Sequence, residues 1–174
     1  MKDKIRSYKM YPAWEYEKEE EDLNKASWKG YQLVKGGCFH SVFQRDNTVR
    51  YNYQLDYNLH IDDPVRYKEV FQEQGWEYIN STFNGWHYFR KLYQEGQILE
   101  DTKIYTDKQS LYEMQGRWIK LMFGLIILYV TMIIVYTVLA ISNREYILFV
   151  DVGISIVFSS MFSIALFNIK KGRQ

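Results

Sequence analysis

The chain has 174 residues, 47% of them hydrophobic and 25% charged, with a formal net charge of +1. That near-neutrality hides a split: residues 1–116 carry 16 basic and 19 acidic side chains, a balance of −3, whereas residues 117–174 carry 6 and 2, a balance of +4. The long, almost charge-free C-terminal third excludes a freely soluble protein, the single cysteine excludes a disulfide scaffold, and an acidic N-terminal part without a basic run argues against nucleic-acid binding.

The opening stretch, MKDKIRSYKMYPAW, has no apolar run, so no secretory leader is expected. Residues 9–14 read as a first strand interrupted by Pro12. Residues 15–29 read as an acidic helix with Tyr16, Leu23, Ala26 and Trp28 as candidate anchors, stopped by Gly30. The acidic run Glu17, Glu19, Glu20, Glu21 and Asp22 is expected on a solvated face. Residues 31–35 and 38–45 form a predicted hairpin around Gly36-Gly37, and 50–57 alternates, with Tyr51, Tyr53, Leu55 and Tyr57 on one face and Asn52, Gln54 and Asp56 on the other. The pattern then recurs. A helix opens at Pro64 with Asp62 or Asp63 as cap and uses Val65, Val70 and Phe71 as apolar positions; Gly75 stops it. Strands follow at 76–81 and 86–91 around Asn84-Gly85. Gly30-Tyr31-Gln32-Leu33 matches Gly75-Trp76-Glu77-Tyr78 at an offset of 45, and Phe43-Gln44-Arg45 loosely matches Tyr88-Phe89-Arg90 at the same offset. Two β-α-β-β units, 8–45 and 50–91, account for both blocks.

Residues 1–92 are therefore expected to form an α+β domain, an antiparallel-rich sheet with both helices on one face. Residues 93–117 are a polar connector, with a strand or turn near 102–105 and a short helix at 106–116 leading into the membrane, whose continuation as one helix into the bilayer Gly116 weakens. A first membrane span is expected over 118–141. Its charge-free stretch, 121–141, covers about 31 Å, the thickness of a bilayer's hydrocarbon core. Trp118 is a candidate interface anchor, with Arg117 and Lys120 positioned to reach headgroups. After a four-residue link, 142–145, a second span runs over 146–169, and 170–174 is a basic tail. So short a link makes a hairpin that leaves both long ends on one side. Five flanking positive residues, Arg117, Lys120, Lys170, Lys171 and Arg173, against Arg144 alone in the link put that side in the cytoplasm of a cell membrane.

Chemistry-bearing residues are sparse. Cys38 reads as a buried thiol two residues from His40, without an orienting partner for nucleophilic work. His40, His60 and His87 make no metal-ligand spacing, and no phosphate loop or nucleophile elbow is present, so no catalytic residue, metal, cofactor or small-molecule ligand is assigned and the protein is read as a non-enzyme. Aromatics are abundant, 16 Tyr, 10 Phe and 5 Trp. Core filling is their ordinary role, but tyrosine and tryptophan on sheet faces also make protein-binding surfaces, and Trp14, Tyr53, Tyr57, Trp76, Trp86, His87 and Tyr88 are the candidates. Within the second span, Asp151 is a candidate intramembrane contact, with Ser155 and Ser159 as small residues that let a helix approach.

Taken together, Trp14 before the acidic helix, Gly30-Tyr31-Gln32-Leu33, the run from Tyr51 to Tyr57, Gly75-Trp76-Glu77-Tyr78 and the run from Gly85 to Lys91 resemble the bacterial domain-of-unknown-function 2812 family, over roughly residues 8–115. The resemblance implies C-terminal membrane spans, a mostly Gram-positive distribution, frequent encoding beside a PadR-like transcriptional regulator and hence regulated membrane or envelope physiology. It carries over no catalytic residue. The first hairpin, Gly36-Gly37-Cys38-Phe39, lacks the Gly-Trp pair of the second.

The expected function is a membrane-anchored cytoplasmic protein-interaction or sensory and regulatory module, acting through a protein partner or self-association. The alternative is an accessory subunit of a small membrane transport or resistance system; an enzyme on a membrane substrate ranks below both.

Overall fold

A computed structural model describes residues 4–172. It divides into two compact units, one ending at Gln115 and one beginning at Gly116.

The first unit is α+β. In chain order it holds β1 (Lys4–Ser7), a 3₁₀ turn (Ala13–Glu15), α1 (Tyr16–Trp28), β2 (Tyr31–Lys35), β3 (Ser41–Arg45), β4 (Tyr51–Tyr57), α2 (Pro64–Glu73), β5 (Glu77–Ser81), β6 (Trp86–Leu92) and a second 3₁₀ turn (Leu99–Thr102). The first strand lies earlier than the sequence suggests. Pro12 has no N–H to give a ladder, and the stretch around it turns into α1 instead, while Lys4–Ser7 pairs antiparallel with β3. Asp63 caps α2 by accepting from the N–H groups of Val65 (3.0 Å) and Arg66 (2.9 Å), with Pro64 in the first turn. Of the three apolar positions expected on α2, Phe71 is buried and Val65 and Val70 are exposed.

The six strands make two antiparallel three-stranded sheets, not one, and both have the same order: β1-β3-β2 and β4-β6-β5. Each has a register shift at the same place, between Leu33 and Lys35 in β2 and between Tyr78 and Asn80 in β5, 45 residues apart. The return strands align at 46 rather than 45, because Leu33 pairs with Phe43 and Tyr78 with Phe89. Gly30 and Gly75 both end their helices with positive φ (81° and 83°), where a side chain is strained.

The two helices do not share one face of the second sheet. Leu55 and Tyr88 are opposite across β4 and β6, as are Tyr57 and Trp86; Tyr88 and Trp86 meet α1 through Glu19 and Tyr16. His87 and Phe89 point the other way, against Tyr67 and Phe71 of α2 (ring centroids 5.1 and 4.4 Å). On that side Phe71, Trp76, Phe89 and Ile104 form a buried apolar cluster. Each added helix buries another set of aromatics, so the second sheet is covered on both sides.

The second unit contains most of α3 (Lys108–Asn143) and all of α4 (Leu148–Gly172). α3 continues through Gly116 without a break. Both helices are long and apolar enough to cross a membrane. They form a hairpin in which Tyr129 stacks on Phe158 and Phe162 (5.4 and 6.1 Å). Of the predicted basic tail, residues 173 and 174 and the side chains of 170–172 lie outside the described residues.

Candidate functional site

α1 lies along β4 and supplies what a neighbouring strand would otherwise supply. β4 is an edge strand, and its outward N–H groups at Tyr51, Tyr53 and Leu55 need acceptors. Ser27 Oγ accepts from Tyr51 (2.8 Å), Asn24 Oδ1 from Tyr53 (2.6 Å) and Glu20 Oε1 from Leu55 (2.7 Å). Asn24 Nδ2 also donates to the carbonyl of Tyr53 (3.3 Å). Spacings of four and three residues put these acceptors on one helix stripe, and the strand's period of two presents a donor to each. Glu19 and Glu20 are thus buried rather than solvated. Glu19 accepts from the Tyr88 hydroxyl (2.8 Å). Burial pushes Glu19 up to about 7 and Glu20 up to about 8, against the opposing pull of their hydrogen bonds. The signal lay in the pattern Glu20, Asn24, Ser27 flanking Leu23, which places polar acceptors beside the apolar stripe.

On the other side of the second sheet, Asp56 is 1% exposed. Its Oδ2 accepts from the Tyr67 hydroxyl of α2 (2.5 Å), and its Oδ1 from the Tyr105 hydroxyl of the connector. His87 lies opposite Asp56 across the ladder, and its Nε2 is 2.9 Å from the Asn58 carbonyl oxygen. The connector is fastened at further points. Ile104 N–H donates to Gln54 Oε1 (3.4 Å), and Gln115 Nε2 donates to the Tyr16 hydroxyl (2.9 Å), whose ring stacks on Trp86 (5.3 Å). Two phenolic donors on one buried carboxylate, with α2 and the connector each supplying one, hold an otherwise polar segment against the domain.

The expected aromatic surface is corrected by burial. Tyr53, Tyr57, Trp76, Trp86, His87 and Tyr88 are all buried, and Trp14 is half-buried in the 3₁₀ turn before α1. They build the core because both faces of the second sheet are covered. Tyr53 sends its hydroxyl across to accept from the Leu33 N–H (2.9 Å), tying β4 to β2, and burial raises it to about 12. Trp76 carries Lys91 over its ring (5.8 Å). Trp118, expected at the lipid interface, is buried. Cys38 is half-buried, and its thiol donates to Asn84 Oδ1 (3.2 Å). His40 and His60 are exposed and His87 is buried, so the three histidines have no common environment. Among the described residues no group of three or more His, Cys, Asp or Glu side chains is placed to hold a metal. In the second unit, Ser155 is 1% exposed, Ser159 is half-buried and donates to the Ile156 carbonyl (3.1 Å), and Asp151 is exposed.

A cleft of about 440 Å³ between the two sheets is lined by Gln32, Tyr51, Glu77 and Arg90 among others. Arg90 closes its own charge in a two-pronged pair with Glu77 (2.8 and 2.6 Å) beneath the Tyr51 ring (4.5 Å).

No curated protein and no solved structure matches the chain. A family model, described as protein of unknown function (DUF2812), matches residues 15–127, which takes in α1, both hairpins, the connector and the start of the apolar part of α3. The acid–tyrosine ties between domain and connector thus fall within the matched segment, and the chain belongs to the DUF2812 family.

Proposed function

We propose that the protein is a membrane-anchored cytoplasmic regulatory module, in which the α+β unit engages a protein partner and the connector links its state to the helix that enters the membrane. The observation that carries this reading is the pair of fastenings between connector and core: Tyr105 on Asp56, and Gln115 on Tyr16. A passive tether has no need of a buried carboxylate satisfied from two separate segments. Two helices of spanning length and the excess of positive residues beside them support the anchoring and the cytoplasmic placement of the α+β unit. In this reading the protein acts by binding, without bond chemistry.

The test is crosslinking of the full chain in native membranes, wild type against Tyr105→Phe. Loss of one hydroxyl should change the set or yield of partner crosslinks while the amount of inserted protein stays the same. Identical crosslinks from both would refute the regulatory role of the connector. Crosslinks confined to residues after 116 would move function to the hairpin and favour the accessory-subunit reading.

A further inference from the structure

With its named aromatics buried, the first unit shows its apolar side chains elsewhere. Phe83 is 81% exposed, Tyr8 70%, Phe39 65% and Leu59 44%. Contacts made by these residues or their chain neighbours link the four segments that carry them. Cys38, next to Phe39, bonds Asn84, next to Phe83. Gly85 approaches Leu59 so closely that an added Cβ would lie 3.1 Å from the Leu59 Cα. Tyr8 packs on His40, ring centroids 5.9 Å apart. The turn under Phe83 is firmly built: Thr82 N–H donates to the Trp86 carbonyl (2.8 Å), Thr82 Oγ1 to Asn84 Oδ1 (2.6 Å) and Gly85 N–H to the Thr82 carbonyl (3.2 Å).

The place of these residues on the unit bears on what could cover them. Phe83 is three residues before Trp86, Trp86 stacks on Tyr16, and Tyr16 holds Gln115, the last residue of the unit. The chain therefore leaves the unit for its apolar segment at the end that carries the hairpin tips. The charge-free stretch begins at residue 121, only about 9 Å of helix rise beyond Gln115. We infer that Phe83, Phe39, Leu59 and Tyr8 form a second, peripheral membrane contact, in which the tips of the two hairpins insert into the headgroup and upper acyl region of the same bilayer. Aromatic and aliphatic side chains are at home at that depth, where the rings lose water and the turn's backbone keeps it. The inference rests on the anchored reading above and adds that the unit lies on the lipid surface.

The test uses the full chain in nanodiscs of phosphatidylethanolamine and phosphatidylglycerol. Cys38→Ser removes the native thiol, and single spin labels are placed through Phe83→Cys, Phe39→Cys, Val135→Cys and Glu73→Cys. Relative accessibility to oxygen and to a water-soluble nickel complex reports depth. Labels at 83 and 39 should show an oxygen-to-nickel ratio severalfold above that at 73, approaching that at 135. A ratio at both tips equal to that at 73, with 135 in lipid, overturns the inference and leaves the anchored reading standing. A lipid-free ratio at 135 overturns both. Dipolar broadening between tip labels would assign the patch to a second copy of the chain and overturn the lipid contact.

Discussion

Gly36 and Asn80 hold the two sheets together by a reciprocal pair of hydrogen bonds. The Gly36 N–H donates to Asn80 Oδ1 (2.8 Å), and Asn80 Nδ2 donates to the Gly36 carbonyl (2.9 Å). Asn80 follows the register shift of β5, and Gly36 comes directly after β2, past the register shift of that strand. Asn80→Ala should lower the stability of the full chain by ~1–3 kcal/mol, since both backbone groups lose their partner. Thermal unfolding in nanodiscs checks it, and an unchanged midpoint would show that the sheets are held by other contacts.

Gly36 also faces the ring of Tyr88, where an added Cβ would lie 2.4–2.6 Å from three ring carbons. Tyr88 cannot retreat, because its hydroxyl is held by Glu19. Gly36→Ala is therefore expected to destabilise by ~1–3 kcal/mol through overpacking. Gly96→Ala, which meets nothing within 4 Å, provides the contrast. Its cost comes from a backbone φ of 82° alone, and equal losses at the two positions would refute the steric account.

Glu19 and Glu20 make stability depend on pH. Their folded values, about 7 and about 8, lie above the ordinary 4.5. The folded chain thus keeps protons that the unfolded chain releases above about pH 4.5. This contribution is complete below pH 4.5 and is lost as pH rises through about 7 and 8. Glu20→Gln should flatten the fall in unfolding midpoint between pH 5 and 8 while keeping an acceptor for the Leu55 N–H. A variant with the wild-type slope would refute the assignment.

Asp56 couples α2 to the connector. Tyr67→Phe and Tyr105→Phe each remove one donor from a buried carboxylate and should each cost ~1–3 kcal/mol. Because the two hydroxyls share one carboxylate, the double variant should depart from additivity by ~0.5–3 kcal/mol. Strict additivity in equilibrium unfolding would mean that the two bonds act independently.

In the second unit, Ser155 is buried and Asp151 is exposed. Ser155→Phe should force α3 and α4 apart, because a helix interface built on a small residue has no room for a ring. Asp151→Asn should leave the hairpin as it is. Interhelix distances from paired spin labels in nanodiscs measure both, and splaying by Asp151→Asn alone would reverse the assignment.

Much of the first unit was legible because local grammar and tertiary demand agreed. Gly30 and Gly75 end helices, Asn84-Gly85 turns a hairpin, and Asp63-Pro64 starts a helix, each for backbone reasons that hold in isolation. What could not be read depended on partners distant in sequence. Lys4–Ser7 has no alternating apolar pattern, and only pairing with β3 makes it a strand. Glu20 looks like any exposed helix carboxylate until the Leu55 N–H is set beside it. Tyr53, Trp86 and Tyr88 suit a core first but also a surface, and two helices on opposite sides of the second sheet decided for the core. Phe39 and Phe83 carried no periodic signal because a turn residue belongs to no face.

The three-rung ladder of Glu20, Asn24 and Ser27 works as a vernier between two rulers. From Glu20 to Ser27 the helix advances about 10.5 Å. From Leu55 back to Tyr51 the strand advances about 13 Å. Side-chain length, from the short Ser27 to the long Glu20, absorbs a mismatch of this size over the three rungs. The helix thus stands in for a strand over this length, and it closes the outer edge of β4 along the stretch where another chain would otherwise add itself to the sheet.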